Sequence, residues 1–541
     1  MSNFGSGYAP GSLTSHRPSS TESPPQPYVP EARLVHLYYA NFHQAHPILV
    51  PAAFYNRQEN PDYLHQVVRF IGSHYSKVLS GDDFLEQTTL LLSRDERSPT
   101  MVQALLLFSI MMSARNNRNE AVLAMSRAVS LALDLGMYRA DFALRFSDGY
   151  EMQKESLRRT WWELFMWEIY LALPDCKLTL RCSDVVSEAY LPCEEAAYTS
   201  SALQPMPTPQ TFSAFRARLF TLEGDSDDNS DTKQQKKNHC PFSSYSYRIE
   251  AFHILARVMV LNTVHETHPD HLQSIVNMIV SWSHLLPVEK VDVVDKYGNI
   301  DEMLFQAQFI IHYASALLHL PRSNLRPKFP GFPSTICPQT PIRLSPSLTR
   351  HIHDVKAIEA SKELSNLLSV HSKPHGYSPS MIPGAVLSGL VQLAAADFHA
   401  SECFEHHQNR AILVLATLSI LKMQWMTARE AYCHVKATAA ANLSPAATWA
   451  TASSSVSEPA TLTQSAQAQR PPPEAYTNLE TRLYDDSNAD AEFPPANAME
   501  TVMSASNMDP MDRIFMAGLL SPHIDQTCGE PLALNQFANF D

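Results

Sequence analysis

Residues 151–173 read EMQKESLRRTWWELFMWEIYLAL, and this stretch decides the fold class. From Trp161 to Leu171 only Glu163 and Glu168 are charged. A helix that is apolar nearly all round belongs in the centre of a bundle, not on its surface. Its first turns are polar, and Glu155 precedes Arg159 at the i,i+4 spacing that supports a helix.

Outward from this helix the 3.6-residue period recurs. Upstream, Ser98-Pro99 is an N-cap followed by proline at the first helical position. It opens the apolar run MVQALLLFSIMMSAR. The next helix, EAVLAMSRAVSLALDLG, places Val122, Met125, Val129 and Leu133 on one stripe, with Gly136 at an expected left-handed C-terminal cap. The short polar NNRN turn between the two predicts an antiparallel hairpin. Further upstream, Leu34, Leu37, Tyr38 and Phe42 form one stripe, ended by Pro47, and residues 62–80 read similarly.

Downstream, helical patterns cover 246–267, 271–286, 301–320, 347–370, 383–408 and 409–438. Period-2 alternation is never sustained, so no sheet is expected. The expectation is an all-α, bundle-like domain of about a dozen helices over residues 31–438. It carries a low-complexity insertion at 224–240, GDSDDNSDTKQQKKNHC. Residues 1–30 are rich in Ser, Pro and Gly, and 439–541 in Ala, Ser, Thr, Gln and Pro; both compositions predict disorder.

Composition narrows the function classes. The chain has 541 residues, only 15 of them Gly, and a net charge of -14. Residues 442–541 hold 13 acidic residues and three arginines, so that tail alone carries 13 − 3 = 10 of the negative charges. No basic stripe is available to neutralise phosphates, which argues against autonomous DNA binding. The eight cysteines, Cys176, Cys182, Cys193, Cys240, Cys337, Cys403, Cys433 and Cys528, include no C-x-x-C pair and read as reduced thiols. No signal-peptide core opens the sequence, and the apolar stretches 101–112 and 411–421 are too short to span a bilayer. A cytosolic or nuclear protein is expected.

Four motifs in order then resemble a known family. HPILVPAAFY (46–55) resembles the HPxxP entry segment of the regulatory domain, or middle homology region, of fungal zinc-cluster transcription factors, with one extra residue between Pro47 and Pro51. Residues 98–139 resemble that family's central helical hairpin. ESLRRTWWELFMWEIYLAL resembles its R-R-x-W-W helix, carried here by Arg158, Arg159, Trp161 and Trp162. SDVVSEAYLPCEEAAY (183–198) resembles the following acidic D-x-x-LP segment, with Glu188 in place of the usual Asp. Order and spacing agree over 31–198, and a fainter resemblance continues to about 438. Family members usually carry an N-terminal six-cysteine zinc cluster. This chain has no cysteine before Cys176, so DNA contact through that route is not expected of it.

The resemblance implies a nuclear transcriptional regulator and no catalysis. No nucleophile elbow, P-loop, dinucleotide fingerprint or HExxH motif appears, and no catalytic, cofactor-binding or metal residues are assigned. Trp161 and Trp162 are expected to fill the core and the arginine pair to bond carboxylates or helix-end carbonyls. The sharper alternative is a small-molecule inducer pocket lined by this helix. In the tail, MDPMDRIFMAGLL offers Asp509 as N-cap, Pro510 at the first helical position and Gly518 as a stop. Asp509 and Asp512 with Ile514, Phe515, Leu519 and Leu520 make an acidic-hydrophobic candidate activation segment, against an inert tail. Lys233, Lys236 and Lys237 read as either an import signal or a loop neutralised by the preceding aspartates. Expected partners are coactivators or another DNA-binding factor, with a homodimer and an inducer as candidates.

Two alternatives complete the reading. One is a cofactor that modulates a DNA-binding partner. The other is a helical metalloprotein using the stripe His399, Cys403, His406 and His407, at i, i+4, i+7 and i+8 of the expected 383–408 helix. His265, His268 and His271 straddle Pro269 and read as solvated loop histidines.

Overall fold

A computed structural model describes residues 31–147, 149–174, 180–200, 206–220, 242–263, 268–325, 348–371, 376–398 and 403–443. The segments 1–30, 224–240 and 444–541 lie outside the described residues. The first half of the chain holds α1 (Glu31–Leu37), continued by a π-helical turn Tyr38–Phe42, then α2 (Ala52–Tyr55), α3 (Asp62–Ser73) and α4 (Asp82–Leu92). These are followed by α5 (Pro99–Ala114), α6 (Arg118–Leu135), α7 (Phe142–Arg145), α8 (Glu151–Ala172), α9 (Glu195–Ser200) and α10 (Phe212–Phe220). The second half holds α11 (Ser244–Thr263), α12 (Pro269–His284), α13 (Glu302–His319), α14 (Arg350–Leu368), α15 (Ile382–Phe398), α16 (Phe404–Leu421) and α17 (Met426–Leu443). The described residues contain no β-strand, only an isolated bridge between Val294 and Ile300.

The helix ends follow the local chemistry of the sequence. Ser98 Oγ accepts from the Met101 N–H at 3.2 Å and Pro99 starts α5, as its caps predict. Asn116, at φ 62°, and Asn117 turn the chain into α6, and Asn117 caps it through Glu120 N–H. Gly136 ends α6 at φ 75°, with Met137 N–H donating to Ala132 C=O at 2.9 Å, so a C-terminal cap forms at the glycine. Helices α5 and α6 pack as the expected hairpin.

Boundaries depart from the sequence reading where short helices fill expected loops. Helices α2, α7 and α9 have four to six residues, too few for a clear period, and α4 and α10 fell outside the patterns read in the sequence. The expected 383–408 helix is described only to Phe398, with a new helix from Phe404; the expected 409–438 helix is divided at Lys422–Trp425. Helix α15 is apolar nearly all round, as is α16 from Ala411 to Leu421, so no single stripe marks their bounds.

One hydrophobic cluster runs from Val35 to Ala439. Helix α8 lies within it, with 16 of its 22 residues buried, touching α5, α6, α7 and α11. Around α11 and α13 the second half stacks as α11–α13–α14–α15–α16, and α17 returns to pack on α5. There Thr427 Oγ1 donates to Ala114 C=O at 3.2 Å. A side chain at Gly72 would fall 2.1 Å from Leu34 O, so α1 and α3 meet backbone to backbone. Two segments, Glu302–Arg322 and Pro379–Phe398, are long and apolar enough to cross a membrane, but 78% and 83% of them are buried inside the fold. That is the pattern of core helices.

Candidate functional site

Glu163 is the charged residue that the apolar stretch of α8 cannot hide, and burial makes it demand partners. Arg248 of α11 supplies the counter-charge: one guanidinium nitrogen pairs with Oε1 and Nη2 stands 3.4 Å from Oε2. Tyr245 Oη donates to Oε1 at 2.5 Å, and His46 Nδ1 lies 3.5 Å from Oε2. Burial pushes the carboxyl upward, yet Arg248 and His46 outweigh it and hold it at about 2. Glu168, the other charge, caps the turn at 181–182 by accepting from Arg181 N–H at 3.1 Å and Cys182 N–H at 2.8 Å.

The Arg-Arg-x-Trp-Trp residues organise the segment that follows α8. Arg159 is fully buried; its Nε donates to Glu155 Oε1 at 2.9 Å, Nη2 to Cys193 C=O at 3.1 Å, and Nη1 pairs with Glu195. Its guanidinium lies 3.9 Å from the Tyr198 ring centroid. Arg158 is partly exposed and reaches Glu155 Oε2 at 3.3 Å. Trp161 Nε1 donates to Ser187 Oγ at 2.8 Å and Trp162 Nε1 to Tyr190 C=O at 3.0 Å. Both rings are buried. The entry segment docks on the same helix, where Ser156 Oγ donates to Ile48 C=O at 2.7 Å, and on α9, where Tyr198 Oη donates to Leu49 C=O at 3.1 Å.

Beside these contacts α8 lines a cleft of about 840 Å³, closed by α10, α11, α12 and the 180–187 segment. Trp162, Phe165, Phe212 and His253 form an aromatic wall: Phe212 stacks on His253 at 4.7 Å, Phe165 lies 4.4 Å from His253, and Trp162 lies 5.3 Å from Phe212. Burial, together with Arg216 and Arg257, lowers His253 to about 3, so its ring is neutral. Glu250, one turn earlier on α11, is fully buried with Oε2 3.3 Å from Arg216 Nε. Burial raises its carboxyl to about 7 against the pull of Arg216 and Arg257. The sequence raised a pocket lined by this helix but named none of its other walls, because its pieces come from separate elements. FSAFRARLF (212–220) lay outside the helical patterns read in the sequence, and His253 and Arg257 were ordinary members of a helix. The readable signal was for α8 meeting α11 and came from Glu163, a carboxylate in an apolar run that needed a distant cation.

Other sequence candidates separate. Cys403 is exposed at the N-cap of α16, and His406 and His407 sit in that helix's first turns; residue 399 lies outside the described residues. His407 Nδ1 bonds Gln392 Oε1 at 2.8 Å in the core and Arg410 Nε donates to the partly buried His406 Nε2 at 3.0 Å, while Cys403 precedes the helix, so Cys403, His406 and His407 do not form one helical metal stripe. No group of three metal-ligating side chains occurs among the described residues. His268 caps α12 through Asp270 N–H at 3.3 Å, with His271 on its first turn; His265 lies outside the described residues. Lys233, Lys236, Lys237, Asp509, Asp512, Ile514, Phe515, Leu519 and Leu520 also lie outside them.

Comparison with known proteins agrees with the motif order. A C6 finger domain transcription factor of Pestalotiopsis fici, iacK, is 26% identical over 416 residues, covering 75% of this chain and 59% of the relative. The chain thus spans somewhat over half the length of the curated relative it matches. No solved structure matches. The fungal specific transcription factor domain matches over residues 35–252, which takes in the entry segment, the hairpin, α8 and the segment its tryptophans hold. Over residues 35–252 the chain is thus similar to the fungal specific transcription factor domain.

Proposed function

We propose that this protein is a transcriptional regulator whose helical region receives a signal and whose acidic tail acts on the transcription machinery. The observation that carries this reading is the fungal specific transcription factor domain centred on α8. The C6 finger relative supports it. On this reading the protein works in the nucleus and is not an enzyme. Its partners are coactivators, with a DNA-binding factor or a second copy as further partners. The aromatic and charged residues of α8, Arg158, Arg159, Trp161 and Trp162, serve to hold the regulatory fold together. In the tail, Ile514, Phe515, Leu519 and Leu520 dock into a coactivator groove, kept soluble by Asp509 and Asp512.

The test fuses the full chain to a foreign DNA-binding domain above a reporter. A change in reporter output is expected, and replacing Ile514 and Phe515 with Ala should remove most of it. A fusion that leaves the reporter at its background level, present and folded, refutes the reading. Full output from the double Ala variant refutes the assigned activation segment.

A further inference from the structure

The cleft beside Trp162 has the size of a small-molecule site, which commonly encloses about 300–1,000 Å³. Its wall offers π faces from three elements, with the neutral His253 ring between Phe165 and Phe212. Val185, Ala256 and Ile275 complete an apolar lining. Such a surface favours a flat ring that can stack or meet edges. Charge sorts the ligand further. Arg216 is engaged with the buried Glu250. Arg257, one turn beyond His253 on α11, is exposed at the cleft and forms no ion pair among the described residues. Asp184, exposed on the 180–187 segment, and His271 of α12 also line the cleft, and neither pairs with Arg257. A guanidinium beside an aromatic wall suits a planar anion, because its donor fork matches a carboxylate.

We propose that this cleft binds a planar aromatic carboxylate, the ring against Trp162, Phe212 and His253 and the carboxylate on Arg257. A ligand there touches α8, α10 and α11 at once, and through Trp162 the Tyr190 segment. That this ligand acts as an inducer rests on the regulatory reading; that it binds does not.

The test uses the purified full chain with three fluorescent probes that share one ring system: 1-pyrenebutyrate, 1-pyrenebutanol and 1-pyrenebutylamine. Binding is read by pyrene anisotropy and by energy transfer from tryptophan. Saturable binding is expected, with the butyrate about tenfold tighter than the alcohol and the amine weakest, the scale of one charge-assisted contact. Arg257→Gln, at an exposed position, should bring the butyrate down to the alcohol's affinity and leave the alcohol unchanged. Ala256→Trp should block all three. No saturable binding of the butyrate, equal binding of butyrate and amine, or an unchanged preference in Arg257→Gln overturns the proposal. Failure here with a responsive reporter fusion removes the ligand site alone, whereas binding with a silent fusion removes the regulatory reading alone.

Discussion

Glu163→Leu isolates what the buried pair between α8 and α11 contributes. Glu163 and Arg248 are 1% and 2% exposed. The carboxyl sits at about 2 against an ordinary 4.5, a difference of roughly 2.5 pH units, or about 3 kcal/mol of preference for the charged form in the fold. A Coulomb estimate at the 3.4 Å contact gives about 5 kcal/mol at an effective dielectric of about 20. Removing the carboxylate also leaves Arg248 buried without a counter-charge, which typically costs about 3–5 kcal/mol. The three routes agree on about 3–5 kcal/mol. Because the folded carboxyl is depressed, this contribution is present above pH 4.5 and lost as pH falls toward 2. The assay is urea unfolding followed by tryptophan fluorescence at neutral pH, with the midpoint falling and the slope unchanged. Glu163→Leu/Arg248→Met removes both charges and leaves Tyr245 Oη short of an acceptor, so it should recover at least half the loss. A single variant within about 1 kcal/mol of wild type refutes the reasoning, as does a double variant that loses the full sum of the two singles.

Two further outcomes are expected. Trp161→Ala and Trp162→Ala should each cost about 3–5 kcal/mol in thermal or chemical unfolding, since both rings are buried and hydrogen-bonded. Unchanged unfolding in both would show that α8 is peripheral. Glu250 carries the opposite pH signature to Glu163. Its folded carboxyl is raised from 4.5 to about 7, so the fold binds more protons than the unfolded chain in that window and wild-type stability should fall by up to about 3 kcal/mol as pH rises through it. Glu250→Gln lacks this slope, so its stability relative to wild type should climb between pH 4.5 and 7; a flat difference sinks the assignment.

Local chemistry was enough for the helical class, the α5–α6 hairpin and its caps, and the burial of α8. Each depends on residues within a few turns of one another: Ser98 with Met101, Asn117 with Glu120, Gly136 with Ala132 and Leu133. The order of four motifs also carried the resemblance that the match over residues 35–252 repeats. Sequence order did not reveal that those motifs converge on one helix. Ile48 meets Ser156, Tyr190 meets Trp162, and Arg248 meets Glu163 across 85 residues. Such pairings depend on how loops close and helices cross, and no short-range period encodes them. The aromatic cleft is the clearest case: Trp162 stands in a motif, but Phe212 and His253 are unremarkable in sequence, and the three form a wall only when α8, α10 and α11 pack. The reverse holds for His399, Cys403 and His406, whose spacing looked like one face of a helix. Spacing predicts a shared face only within one helix, and tertiary structure begins a new helix at Phe404.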